Sequence, residues 1–172
     1  MPVEFWRFLK AVELSGFSKW VREANSIWAY PTVLFLHTVG LAFAVGISVA
    51  VSLRVLGFGS RMPTKPMDKF FPIIWAGFWL NAFSGTILLA TDATAKMKNP
   101  VFYIKMGFIL LAVITVQLTR NRVFRNHDAD TTPVSMNSKI LAASSIFLWL
   151  AAIVTGRLLA YLTATHIVGS DI

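Results

Sequence analysis

Apolar and polar positions divide the chain into an amphipathic lead-in and four long apolar stretches. Over residues 1–25 the pattern has helical spacing. Phe5, Phe8, Leu9 and Val12 form an apolar stripe, and Glu4, Arg7, Lys10 and Glu13 fall off it. Ser15-Gly16 breaks the pattern, and a second short helix is predicted over 17–24, with Trp20 and Val21 set against Lys19, Arg22 and Glu23. Such a segment is expected to lie in the plane of a membrane interface. Its acidic residues, and the lack of an apolar core before a small-residue cleavage site, do not fit a signal peptide. Beyond residue 25 the apolar runs lengthen to about 27–57, 70–92, 101–119 and 140–165. Roughly 20 apolar residues cross a bilayer, so each run reads as a transmembrane helix. Between Pro31 and Leu53 there is no Asp, Glu, Lys or Arg, and one histidine, His37.

The boundaries carry their own signals. Asn25-Ser26 is expected to cap the first span, Trp28 and Tyr30 to anchor it at the interface, and Pro31 to sit in its first turn. The connection 59–69 is polar and holds two prolines, Asn99-Pro100 opens the third span, and 119–139 is polar with the helix breaker Pro133. The expected fold is therefore an all-α membrane protein. It is a four-transmembrane-helix bundle over 26–167, with an N-terminal amphipathic interfacial segment and a short tail over 168–172.

Composition strengthens the membrane reading. Only 14% of residues are charged, where soluble domains carry about 25%. The absence of cysteine excludes disulfides, thiolate metal sites and iron–sulfur clusters. The net charge of +8 is spread without a Lys/Arg block. It fits basic loops against anionic headgroups rather than nucleic acid. The expected partners are membrane lipid and either other membrane subunits or a second copy of the chain.

Four spans place both termini on one side. The opposite side holds Arg54, Arg61, Lys65, Lys69, Arg120, Arg122, Arg125 and Lys139; the terminal side holds Arg7, Lys10, Lys19, Arg22, Lys96, Lys98 and Lys105. Eight against seven leans toward termini outside, periplasmic if the membrane is a bacterial inner membrane. Between directly joined spans the bias is eight against three.

Each span also has a polar or small-residue face. His37 is followed by Gly40, Ala44 and Ser48 on span one, and span two aligns Gly77, Asn81, Ser84, Gly85, Leu88 and Asp92. Span three aligns Lys105, Ala112, Thr115 and Thr119; span four aligns Ser145, Trp149, Ala152 and Gly156, with Arg157 at the edge. Small residues at this spacing let helices approach closely. At 1.5 Å per residue, His37 lies roughly 10 Å below Tyr30, Lys105 roughly 6 Å below Val101, and Arg157 roughly 25 Å across a core of about 30 Å. Asp92 ends span two on the same side. Tyr103 and Tyr161 lie near this layer, and Met106 one residue deeper than Lys105. The loop-side half reads as largely apolar.

These positions predict a polar pocket in the terminal-side third, lined by His37, Arg157, Lys105, Met106, Asn81, Asp92 and Tyr161. Haem b is one occupant, with His37 as axial ligand, Met106 as a possible sixth ligand and propionates on the cations. A quinone is another, and copper on His37 with Met97 and Met106 a third. A second axial histidine is hard to place, because His127 lies in the far loop and His166 roughly 13 Å beyond Arg157. The corresponding bland reading makes each residue a packing, snorkelling or helix-end residue. The function classes are thus a redox or cofactor-binding membrane subunit, a structural accessory subunit, and a carrier of a small anion or metal. None requires a stand-alone enzyme, and no catalytic residue is assigned.

The runs W-A-Y-P-T-V-L-F-L-H-T-V-G (28–40), L-R-V-L-G (53–57), N-P-V-F-Y-I-K (99–105) and W-L-A-A-I-V-T-G-R-L-L-A-Y (149–161) together resemble a family of small bacterial four-span inner-membrane proteins of unknown function. The resemblance covers about 26–162. It implies the same fold and marks Tyr30, Pro31, His37, Gly40, Arg54, Asn99, Pro100, Lys105, Gly156, Arg157 and Tyr161. Two departures stand out. The family pattern has an acidic residue where this chain has Leu34, and a histidine where it has Leu118 and Thr119.

Overall fold

The structure is a computed structural model that describes residues 3–24, 26–58, 65–124 and 134–168. The Asn25 cap, Arg61, Arg125, His127, Pro133 and the last four tail residues lie outside the described residues, as does the side chain of His166. All regular structure among the described residues is helical. α1 (Val3–Glu13) and α2 (Gly16–Glu23) precede the bundle. Span one is α3 (Tyr30–Leu41), a π-helical turn (Ala42–Gly46) and α4 (Ile47–Leu56). A 3-10 turn (Lys65–Phe70) leads into α5 (Phe71–Thr91), the body of span two, and α6 (Ala93–Lys98) connects to span three. Span three is α7 (Pro100–Thr119) with a π-helical end (Arg120–Phe124), and α8 (Met136–Val168) is span four. Tyr30–Leu56, Met67–Ala90, Pro100–Phe124 and Met136–Leu162 are long and apolar enough to cross a membrane. The protein is a multi-pass, all-α four-helix bundle.

Local chemistry sets the helix ends. Ser15 caps α2 by accepting from the Ser18 backbone N–H at 3.3 Å. Span one begins later than its apolar run. Residues 27–29 form a turn, Ala29 is the N-cap, and Pro31 sits in the first helical turn. At the other end Gly57 takes φ 109°, a left-handed conformation that suits glycine, and Phe58 N–H returns to the Leu53 carbonyl at 3.0 Å. The Asn99 side chain caps α7 through the Val101 N–H at 3.0 Å, and Pro100 follows where its missing N–H is no loss.

The spans associate as two pairs, α3 along α5 and α7 along α8, joined chiefly by α4 on α8. Small residues make the first pair possible. A Cβ on Gly40 would lie 2.6 Å from the Asn81 backbone nitrogen, and one on Gly77 would lie 2.7 Å from that of Ala44. The two backbones are therefore in contact. The faces aligned in the sequence point inward: Gly40, Ala44, Ser48, Gly77, Ser84, Ala112, Thr119, Ser145, Trp149 and Ala152 are buried. Large apolar side chains such as Phe35, Phe83, Phe147 and Val154 point out, as expected where lipid is the solvent. The loop-side half is not simply apolar. Ser48, Ser52, Thr119 and Ser145 are buried in it, so hydroxyls interrupt the cluster built from Val51, Phe71, Ile74 and Val116.

α1 and α2 pack across the terminal-side end of the bundle, on α6 and α5. Arg22 donates to the Thr91 carbonyl at 3.0 Å, Glu13 accepts from the Thr94 N–H at 3.2 Å, and Lys98 lies 5.4 Å from the Trp6 ring centre. Val21 is fully buried, whereas Phe8, Phe17 and Trp20 stay exposed. At the loop end Arg120 pairs with Asp68 at 3.1 Å and covers the Phe71 ring.

Candidate functional site

His37 comes from the middle of α3, where Gly40 and Gly77 bring α5 into backbone contact. The approach puts the imidazole over Gly85, where a Cβ would lie 3.0 Å from Cε1. Nδ1 lies 3.0 Å from the Asn81 carbonyl oxygen and 3.2 Å from Ser84 Oγ. A carbonyl can only accept, so Nδ1 carries the proton. The Ser84 hydroxyl already donates to the Leu80 carbonyl at 2.7 Å, which leaves its oxygen free to accept as well. In return the Asn81 side-chain amide donates to the His37 backbone carbonyl at 2.8 Å. The two residues clasp each other across the helix pair, side chain to backbone both ways. The tautomer follows: Nε2 of a neutral His37 is an unprotonated lone pair, and it has no hydrogen-bond partner among the described residues.

Lys105 reaches toward this ring from α7. It is half-buried, and its ammonium is close enough to His37 to interact electrostatically. Its chain crosses to span four and fills the space left by Gly156, where a Cβ would lie 3.5 Å from Cε and 3.6 Å from Nζ. Asp92 does not join them. It ends α5 and pairs with Lys96 one turn on, at 3.4 Å, while Lys96 also donates to the Leu88 carbonyl. Lys96 lies outside the spans. Burial pushes its ammonium below the ordinary range against the pull of Asp92.

The predicted layer therefore separates by direction. His37, Asn81 and Lys105 face the interior, with Ser84, Gly85 and Gly156 shaping the space. Arg157, Met106 and Tyr161 are exposed, the last two at 42% and 70%. Helix geometry explains this. Consecutive residues turn by about 100°, so Met106 points away from its inward neighbour Lys105, and Arg157 from Gly156. Tyr161, four residues after Arg157, shares its outward face. Lys96 is not among the candidate residues, although its place four residues after Asp92 marks an ion pair.

No group of three or more His, Cys, Asp or Glu residues forms a metal cluster among the described residues. Among the described residues, His37 Nε2 is the one imidazole lone pair offered inside the bundle. Fold and site define a multi-pass membrane protein with a tautomer-locked histidine in one half of its bundle. Comparison with protein-family models, curated proteins and solved structures finds no match to the chain.

Proposed function

We propose that the protein is a membrane redox subunit that holds haem b through His37 Nε2. One observation carries the reading: the Asn81 carbonyl fixes the Nδ1 proton, so Nε2 presents a lone pair that no described residue hydrogen-bonds. Axial histidines are held in this way, with the far ring N–H on a carbonyl orienting the ring and raising its basicity. The same tautomer disfavours an oxidised quinone, whose carbonyl oxygens need a donor that neutral Nε2 cannot supply. Lys105 supports the haem reading further, as a half-buried basic side chain within electrostatic range of His37 and suited to a propionate. Arg157 faces outward, one residue from Gly156, and would reach a propionate only from outside the bundle. We also place the protein with the small four-span family it resembles, in a bacterial inner membrane with periplasmic termini; the basic-residue bias supports that orientation. α1 and α2 then lie in the interface, with Phe8, Phe17 and Trp20 toward lipid.

A second reading has its own observation. The reciprocal His37–Asn81 clasp is a sufficient reason for a histidine between two touching helices, as interhelical glue in a structural subunit. Haem content separates the two. Protein purified in mild detergent from cells supplied with haem precursor should contain haem b by the pyridine haemochrome assay. Haem-free protein under those conditions would leave the clasp as the whole role of His37.

A further inference from the structure

Toward the loop side, spans one, two and three line a partly open void of about 10 Å³. Its polar lining is Ser48, Ser52 and Thr119, and its walls include Phe71, Ile74 and Val116. The three hydroxyl residues are 2%, 3% and 3% exposed. A void of this size is at the lower limit for one water molecule. Thr119 makes it informative. Thr38, Thr86 and Thr155 each turn the hydroxyl back onto the carbonyl four residues earlier, at 2.9, 2.9 and 2.7 Å. Thr119 does not; its buried Oγ1 has no partner among the described residues. The Ser48 hydroxyl donates to the Ala44 carbonyl, which leaves its oxygen able to accept. Both π-helical turns adjoin these residues. Ala42–Gly46 ends two residues before Ser48, and Arg120–Phe124 begins directly after Thr119. Such turns are rare and concentrate at functional sites.

We propose that this void is a binding site for a single structural water, which accepts from Thr119 and donates to a serine oxygen of span one. The ligand is neutral because no carboxylate lines the void, and an uncompensated cation would be strongly disfavoured there. An apolar guest would leave the Thr119 hydroxyl unsatisfied. The water joins spans one and three. Bridges of this kind matter in a bilayer, where apolar burial alone does not drive helices together.

Thermal unfolding of the full-length protein in detergent tests the assignment. Thr119→Val keeps the shape and removes the hydroxyl, so it should lower the midpoint by a few degrees. Ser52→Ala should do the same, and the double variant should lose less than the sum. An unchanged or raised midpoint for Thr119→Val overturns the proposal, because a dry void gains from losing an unpartnered hydroxyl. Should the variant not fold, the wild type still decides: a lasting cross-peak between water and the Thr119 amide in NMR is expected, and its absence overturns the site. Replacing sodium by choline at fixed ionic strength should leave the wild-type midpoint unchanged. A sodium-dependent rise would assign the void to a cation instead.

Discussion

At His37 a lone-pair nitrogen is kept apart from the bonds that hold its ring. Those bonds divide the roles of its neighbours. The contact fixing the Nδ1 proton comes from the Asn81 backbone, whereas the Asn81 side chain only ties back to span one. Asn81→Ala should therefore weaken the α3–α5 pairing by about 0.6 kcal/mol, the average for interhelical hydrogen bonds in membranes. Chemical denaturation would read that loss. The haem signal should persist in the same variant, because the backbone carbonyl is still present. Lys96 gives a separate, pH-dependent expectation. Its ammonium is disfavoured in the fold and binds its proton more tightly when unfolded. Stability should therefore rise as pH climbs from the depressed folded pKa toward the unfolded value near 10.5. In Lys96→Met that alkaline rise should be reduced in an unfolding series across pH.

Between elements, contact distance controls the site. Gly40 and Gly77 allow α3 and α5 to touch, and that contact sets the ring of His37 over Gly85. Gly40→Ala must push backbone against backbone and should destabilise by about 1–3 kcal/mol, the usual range for overpacking. A lowered unfolding midpoint and loss of the His37 signal are expected together. The N-terminal helices are a milder case. Arg22→Ala removes the bond to the Thr91 carbonyl and should cost about 1 kcal/mol. Faster proteolysis within α1–α2, with the spans intact, would register it.

Much of this arrangement is legible in the sequence, and the rest has a physical reason for being hidden. Run length and the absence of charge give four spans, and the inward faces follow from small residues at helical spacing. Depth follows from a fixed rise per residue, which is why His37, Lys105, Arg157 and Asp92 read as one layer. Direction around each helix is less accessible. Met106 and Arg157 have the right height, yet each is turned about 100° from an inward neighbour. The hydroxyl cluster around Thr119 was hidden for another reason. Serine and threonine read as neutral in an apolar run, and whether a hydroxyl bonds its own helix depends on its rotamer. Ser48 and Ser52, four residues apart on one face, were the available signal.

For the whole molecule, the two-pair construction gives its halves different characters. α4 on α8 joins the pairs toward the loop side, around a closed cluster with buried hydroxyls. Toward the terminal side lie His37 and Lys105, with α1, α2 and α6 packed across that end. A cofactor held there would sit in one leaflet, close to the surface where a partner could exchange electrons. The most direct measurement is an optical titration of haem into detergent-purified apoprotein, comparing wild type with His37→Ala. Saturable binding with a Soret band that shifts on dithionite reduction is expected for the wild type, and no such band for a His37→Ala protein that keeps its helical circular dichroism. Identical spectra for the two would contradict haem ligation by His37.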